Sequence, residues 1–88
     1  MSSLDGRIAI VTGAGAGLGR EHALLLAAHG AAVVVNDISA DAAKSVVDEI
    51  TAAGGAATTS TADVSSWDGA RSLVEAAVET FGDLHVLV

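Results

Sequence analysis

The alternation of apolar and polar positions divides this chain into short β-branched runs and longer stretches of helical spacing. Four runs predict strands: Ile8–Val11, Ala32–Val35, the weaker Ala57–Ala62, and Leu84–Val88. Three intervening stretches predict helices. Leu18–His29 is apolar almost all round, with Leu24, Leu25, Leu26, Ala27 and Ala28 in succession, as in a buried helix. Ala40–Ala53 places Ala43, Val46, Val47, Ile50 and Ala53 on one face, with Lys44, Asp48 and Glu49 largely elsewhere. Trp67–Phe81 gathers Ala70, Val74, Ala77, Val78 and Phe81, and turns Arg71, Glu75 and Glu79 outward.

The boundaries agree with this division. Ser39 stands where a cap for the second helix is needed, and Ser65-Ser66-Trp67-Asp68 fits an N-cap with an acid three residues on. Trp67, at a helix start, is expected to pack on the preceding turn. Glycine follows each helix, at Gly30, Gly54-Gly55 and Gly82, where a left-handed residue ends a helix without a Cβ penalty. The order β-α-β-α-β-α-β predicts an α/β fold: a parallel sheet with helices on its faces and right-handed crossovers. Ile8–Val11 and Ala32–Val35 are continuous apolar runs, as strands covered on both faces are. The polar Ala57–Ala62 suits a sheet edge. Leu84–Val88 is apolar like a central strand at the end of the chain, so it reads either as a strand lacking its neighbour or as a short terminal edge.

Composition sharpens the picture. The 88 residues are 51% hydrophobic, but 19 of those positions are alanine, with one Phe and one Trp. That makes closely packed helices and a thin core, and the length is below the ~100–150 residues commonest for a domain, so the chain reads as a piece of something longer. Eleven Asp and Glu against four Lys and Arg, a formal charge of −7, argue against nucleic-acid or anionic-membrane partners. The absence of cysteine removes disulfides, thiol nucleophiles and thiolate metal sites. With neither a signal-peptide pattern nor a run approaching the ~20 apolar residues of a membrane helix, the expectation is a cytoplasmic protein.

The most informative residues are Thr12-Gly13-Ala14-Gly15-Ala16-Gly17-Leu18-Gly19-Arg20. A P-loop needs a Gly-Lys pair, which is missing. A strict G-x-G-x-x-G fails, because Leu18, Arg20 or His22 falls where its third glycine belongs. T-G-x-x-x-G-x-G fits, through Gly13, Gly17 and Gly19. Gly13 turns the chain off the strand, Gly17 admits a pyrophosphate close to backbone, and Gly19 lets the helix lie near the sheet. Amides at the start of the Leu18 helix then face phosphate with the positive end of its dipole. Asp37 ends Val33-Val34-Val35-Asn36-Asp37, 18 residues after Gly19, close to the ~20 expected of the acid that accepts ribose hydroxyls. A 2′-phosphate ~4 Å from that carboxylate would be repelled by about 4 kcal/mol at effective ε ~20. Ile38 follows, with no local Arg or Lys to compensate, so NAD is favoured over NADP. Asp37 could instead cap the next helix or turn the chain, and Arg20 could reach a phosphate or be a solvated helix charge.

Together these residues make the chain resemble the N-terminal part of a short-chain dehydrogenase/reductase along nearly all its length. Thr12–Gly19 matches that family's glycine motif, and Asp37 the acid of its NAD-preferring members. Asp63-Val64 matches the pair beside the adenine, and Phe81–Val88 the run into the fourth strand. Thr12–Arg20 with Val33–Asp37 is similar to the hydroxyacyl-CoA dehydrogenase domain of multifunctional β-oxidation enzymes. The resemblance implies the first half of a Rossmann-type doubly wound parallel sheet over residues 1–88. It implies cofactor contacts at Gly13, Gly15, Ala16, Gly17, Leu18, Gly19, Asp37, Ile38, Asp63 and Val64, an alcohol or ketone substrate (3-hydroxyacyl-CoA or steroid-like), and a homo-oligomer when full length. The family's Asn-Asn-Ala-Gly segment and its Ser, Tyr-x-x-x-Lys and second Asn have no match here; there is no Tyr, and the one lysine is Lys44. The catalytic half is therefore expected to be absent. A non-catalytic nucleotide-binding module and an oligomerising fragment are the alternatives. His22, His29 and His85 form no zinc pattern and read as ordinary helix or strand histidines.

Overall fold

The computed structural model describes residues 4–15, 17–82 and 86–87. Its elements are β1 (Ile8–Val11), α1 (Gly17–Ala28), β2 (Ala32–Asn36), α2 (Ala40–Ala52), β3 (Ala56–Ser60), α3 (Trp67–Phe81) and β4 (Val86–Leu87). All strand pairs are parallel, in the order β3-β2-β1-β4. β4 thus lies on the far side of β1 from β2, and the strand order reverses there. In open α/β sheets that reversal marks where ligands bind, at the carboxyl ends of the strands.

Side-chain alternation along β1 and β2 divides the core in two. Val11, Val33 and Val35 face Ala23 of α1 and Ala43, Val46 and Ile50 of α2. Ile8, Ile10 and Val34 face Leu73 and Ala77 of α3. Both strands are therefore buried on both faces, which is why they read as unbroken apolar runs. Each such Val or Ile contributes roughly 1.5–3 kcal/mol on burial. β3 is half-exposed at the edge of the sheet, as its polarity predicts.

Several expectations need correction. The all-round apolar pattern of α1 does not mean burial: Ala23 is its one buried residue, and Leu18 and Leu25 are 76% and 58% exposed. α1 packs on β1, β2 and α2, which occupy only part of its circumference. On α3 the inward stripe is Ala70, Leu73, Ala77 and Phe81, at spacings of three and four, whereas Val74 and Val78 sit on its shoulder, exposed. Trp67 is 83% exposed and does not fold back on the preceding turn. Gly69 takes that place, so close to the Asp63 carbonyl that a Cβ would collide with it. The α3 cap is Ser66, whose Oγ accepts from the Gly69 N–H at 2.9 Å, so the residue three on is glycine and not an acid. Ala53 is exposed, and β3 runs from Ala56 to Ser60 instead of to Ala62.

Other boundaries hold. Ser39 caps α2 by accepting from the Ala42 N–H, and Gly30, Gly54 and Gly82 all have positive φ. Leu84, His85 and Val88 of the last predicted strand lie outside the described residues, as does Ala16. Among the described residues no helix is long and apolar enough to cross a membrane.

Candidate functional site

The carboxyl ends of β1, β2 and β3 carry three loops, and a chain of hydrogen bonds joins them. From the turn after β1, the Ala14 N–H donates to the Asn36 carbonyl at 2.8 Å and the Gly15 N–H to Asp37 Oδ2 at 2.9 Å. From the end of β2, the Asp37 N–H donates to the Ser60 carbonyl, and Asn36 Nδ2 reaches the Ala62 carbonyl at 3.1 Å. Residues 13–15, 17–19, 37–38 and 63–64, far apart in sequence, therefore form one rim. Ala16 is the predicted member that cannot be placed on it.

Within the glycine turn each small residue has its own reason. Gly13 and Gly17 have φ of 61° and 58°, the left-handed region that disfavours a side chain, and nothing lies within 4 Å of where a Cβ would stand. The backbone there is open to a ligand. At Gly19 a Cβ would collide with the Gly13 carbonyl. The close approach is thus between α1 and the turn leaving β1, a more local contact than helix against sheet. α1 begins with no acid in its first turn, whereas α2 and α3 carry Asp41 and Asp68 there. The positive end of the α1 dipole is not offset by a carboxylate of its own first turn.

Asp37 is half-buried, and both carboxylate oxygens are anchored: Oδ2 by the Gly15 N–H and Oδ1 by the Ser39 N–H, each at 2.9 Å. A carboxylate offers about four acceptor positions, so roughly two remain for a ligand. The helix-turning role and the acceptor role are therefore compatible in one side chain. Ile38, Val64 and Leu18 are 77%, 42% and 76% exposed on this rim, which gives it an apolar surface beside the acid. Asp63 bends into its own turn, its Oδ1 accepting from the Ser65 hydroxyl at 2.6 Å and the Ser65 N–H at 2.9 Å. Those two bonds favour the ionised form and hold its carboxyl below the ordinary value of 3.8.

Arg20 turns to α2. Its guanidinium pairs with Glu49 at 2.5 Å and Glu21 at 3.0 Å, and the hydrogen bond and charge of Glu49 raise its pKa. Lys44 is exposed and paired with Asp48 at 2.8 Å. Among the described residues no cluster of His, Asp or Glu is placed to hold a metal ion. A groove of about 570 Å³ lies at the opposite end of the sheet, lined by residues including Asp5, Leu24, Gly30, Glu49 and Ile50. The carboxyl ends of α1 and α2 and two carboxylates give it the wrong sign for phosphate.

Asn36 is the residue that sequence reasoning missed. It is 3% exposed, the single buried polar side chain among the described residues, and it clamps the end of β2 to residues 60–62. An asparagine closing a β-branched run is out of keeping with strand propensity, and that was the available signal.

Comparison with known proteins follows the same outline. The family model for short chain dehydrogenases matches residues 7–88. The chain is 57% identical over 89 residues to an uncharacterized oxidoreductase of Methylorubrum extorquens, covering 100% of this chain and 36% of that protein. It is 50% identical over 93 residues to the peroxisomal multifunctional enzyme type 2 of Drosophila melanogaster, covering 96% of this chain and 15% of that one. A solved 7α-hydroxysteroid dehydrogenase, complexed with NADH and 7-oxo glycochenodeoxycholic acid, superimposes with a TM-score of 0.93 at 48% identity, over 96% of this chain and 33% of that one. The chain spans about a third of the length of the first curated relatives it matches.

Proposed function

The chain belongs to the short chain dehydrogenase family, and from that premise we propose that its rim holds NAD(H) for an oxidoreductase acting on an alcohol or ketone. The observation that carries the reading is the 2.9 Å bond between the Gly15 N–H and Asp37 Oδ2, which brings the phosphate turn and the ribose acceptor into one site. Backbone at Gly13 and Gly17 and the first amides of α1 would receive the pyrophosphate, and Asp37 the adenosine ribose. Exposed Ile38 and Val64, at the ends of adjacent strands, offer apolar surface to the adenine. The cofactor supplies hydride transfer; these residues bind and orient it. Proton transfer has no candidate here, since the chain holds no Tyr and Lys44 is committed to Asp48 on the outer side of α2.

Within this reading residues 1–88 are the cofactor-holding half of a cytoplasmic, homo-oligomeric enzyme. A steroid-like substrate has the support of one relative, the 7α-hydroxysteroid dehydrogenase of Escherichia coli, and 3-hydroxyacyl-CoA is the alternative that the sequence resemblance implies. The preference for NAD rests on Asp37. Repulsion of about 4 kcal/mol between its carboxylate and a 2′-phosphate corresponds to a ceiling of about three decades in Kd. Fluorescence titration of the full chain is expected to show NADH binding more tightly than NADPH, and Asp37→Ala to weaken NADH and narrow the difference. Equal or tighter binding of NADPH by the unaltered chain would sink the reading of Asp37.

A further inference from the structure

Gly13, Gly17 and Gly19 are each explained by backbone conformation or backbone contact, but Gly15 is not. It has no positive φ, and the atoms nearest to where its Cβ would stand belong to side chains. A Cβ at Gly15 would instead stand 2.6 Å from the Ala42 methyl and 2.8 Å from Asp37 Oδ2. Its amide donates to that same oxygen at 2.9 Å. The other oxygen, Oδ1, accepts from Ser39, and Ser39 Oγ accepts at 3.2 Å from Ala42, the residue whose methyl lies over Gly15. Four residues from two loops and a helix thus close a ring around one carboxylate.

We propose that Gly15 is a positioning residue for cofactor selection: its amide and its missing side chain together set the orientation of Asp37, and through it the preference for NADH over NADPH. This rests on the NAD reading above and extends it to a residue that need not touch the part of the cofactor it selects. A carboxylate held by two fixed N–H donors keeps its remaining acceptor positions in one direction, so a vicinal diol meets a preset pair of oxygens. Any side chain at position 15 pushes Oδ2 out of that arrangement. Because φ at Gly15 is ordinary, Gly15→Ala carries no left-handed backbone strain, and its effect reports on these contacts.

The experiment compares the NADH and NADPH dissociation constants of the full chain and four variants by fluorescence titration, with circular dichroism to verify folding. Gly15→Ala is expected to narrow the NADH preference by about tenfold, the size of losing one well-oriented hydrogen bond to a charged group. Ala42→Gly removes the methyl that would meet the new Cβ and leaves the encounter with Asp37, so Gly15→Ala/Ala42→Gly should fold well and keep the narrowed preference. In an Asp37→Ala background, Gly15→Ala should change the preference by less than about twofold, since its partner is gone. If Asp37→Ala alters the preference but Gly15→Ala/Ala42→Gly weakens both cofactors equally, the proposal is overturned and Gly15 merely packs on α2. If Asp37→Ala itself leaves the preference unchanged, the NAD reading fails and this proposal falls with it.

Discussion

Replacing Asn36 tests whether the loop joining β3 to α3 is held from β2. Asn36 is 3% exposed, and its Nδ2 lies 3.3 Å from the Ser60 carbonyl, 3.3 Å from Ser60 Oγ and 3.1 Å from the Ala62 carbonyl. The amide has only two protons for these three acceptors, so at most two bonds are good at once. At roughly 0.5–1.5 kcal/mol each, Asn36→Leu removes about 1–3 kcal/mol while keeping the same branched side-chain shape. The Ser60 carbonyl keeps its bond from the Asp37 N–H, and the Ala62 carbonyl loses the Asn36 donor. Asn36→Asp is worse, because it places a buried carboxylate against carbonyl oxygens in the clamp's position, a loss on the order of 3 kcal/mol or more. Urea denaturation at pH 7 with an unchanged m-value measures both, and NADH titration follows the neighbouring loop. The Asp variant should recover toward the Leu variant as acid neutralises it. A Leu variant within about 0.5 kcal/mol of the parent, or an Asp variant no worse than Leu, would refute the clamp.

Three further outcomes are expected. Gly19→Ala drives a Cβ into the Gly13 carbonyl, so α1 must shift, and a loss of about 1–3 kcal/mol together with weaker NADH binding should be seen in melting and titration; an unchanged melting temperature contradicts the contact. Arg20→Ala should leave NADH affinity and the melting temperature almost unmoved, within about 2 °C, because Arg20 is engaged with Glu49 and Glu21 at the surface. A large loss of NADH affinity would reassign Arg20 to a phosphate. The Asp63 carboxyl, held below its ordinary value by Ser65, contributes stability that is present above 3.8 and lost as pH falls through its lowered folded-state value. Asp63→Asn should therefore be less stable than the parent at pH 7, with the gap closing in strong acid; a gap independent of pH excludes the linkage.

Much of the fold was legible because its determinants are local. Ser39, Gly30, Gly54 and Gly82 act on their own helix ends, so the boundaries of α2 and the end of every helix could be read from neighbouring residues. Failures came where burial depends on what lies opposite. Periodicity showed α1 capable of being buried on nearly every side, and α3 capable of burying Val74 and Val78, yet an apolar face is buried only where another element covers it. Trp67 failed for a similar reason, since Gly69 lies against the preceding turn and the indole is left exposed.

The sequence alone determined the order of elements, the turn from Gly13 to Gly19 and an acid at the end of the second strand, because spacing, chirality and charge are properties of consecutive residues. Only the tertiary structure decided that β4 lies beyond β1, that Asn36 clamps residues 60–62, and that Gly15 and Asp37, 22 positions apart, share a hydrogen bond. Those contacts form between residues brought together by packing, and their strength depends on distances of a few tenths of an ångström, which no local pattern encodes.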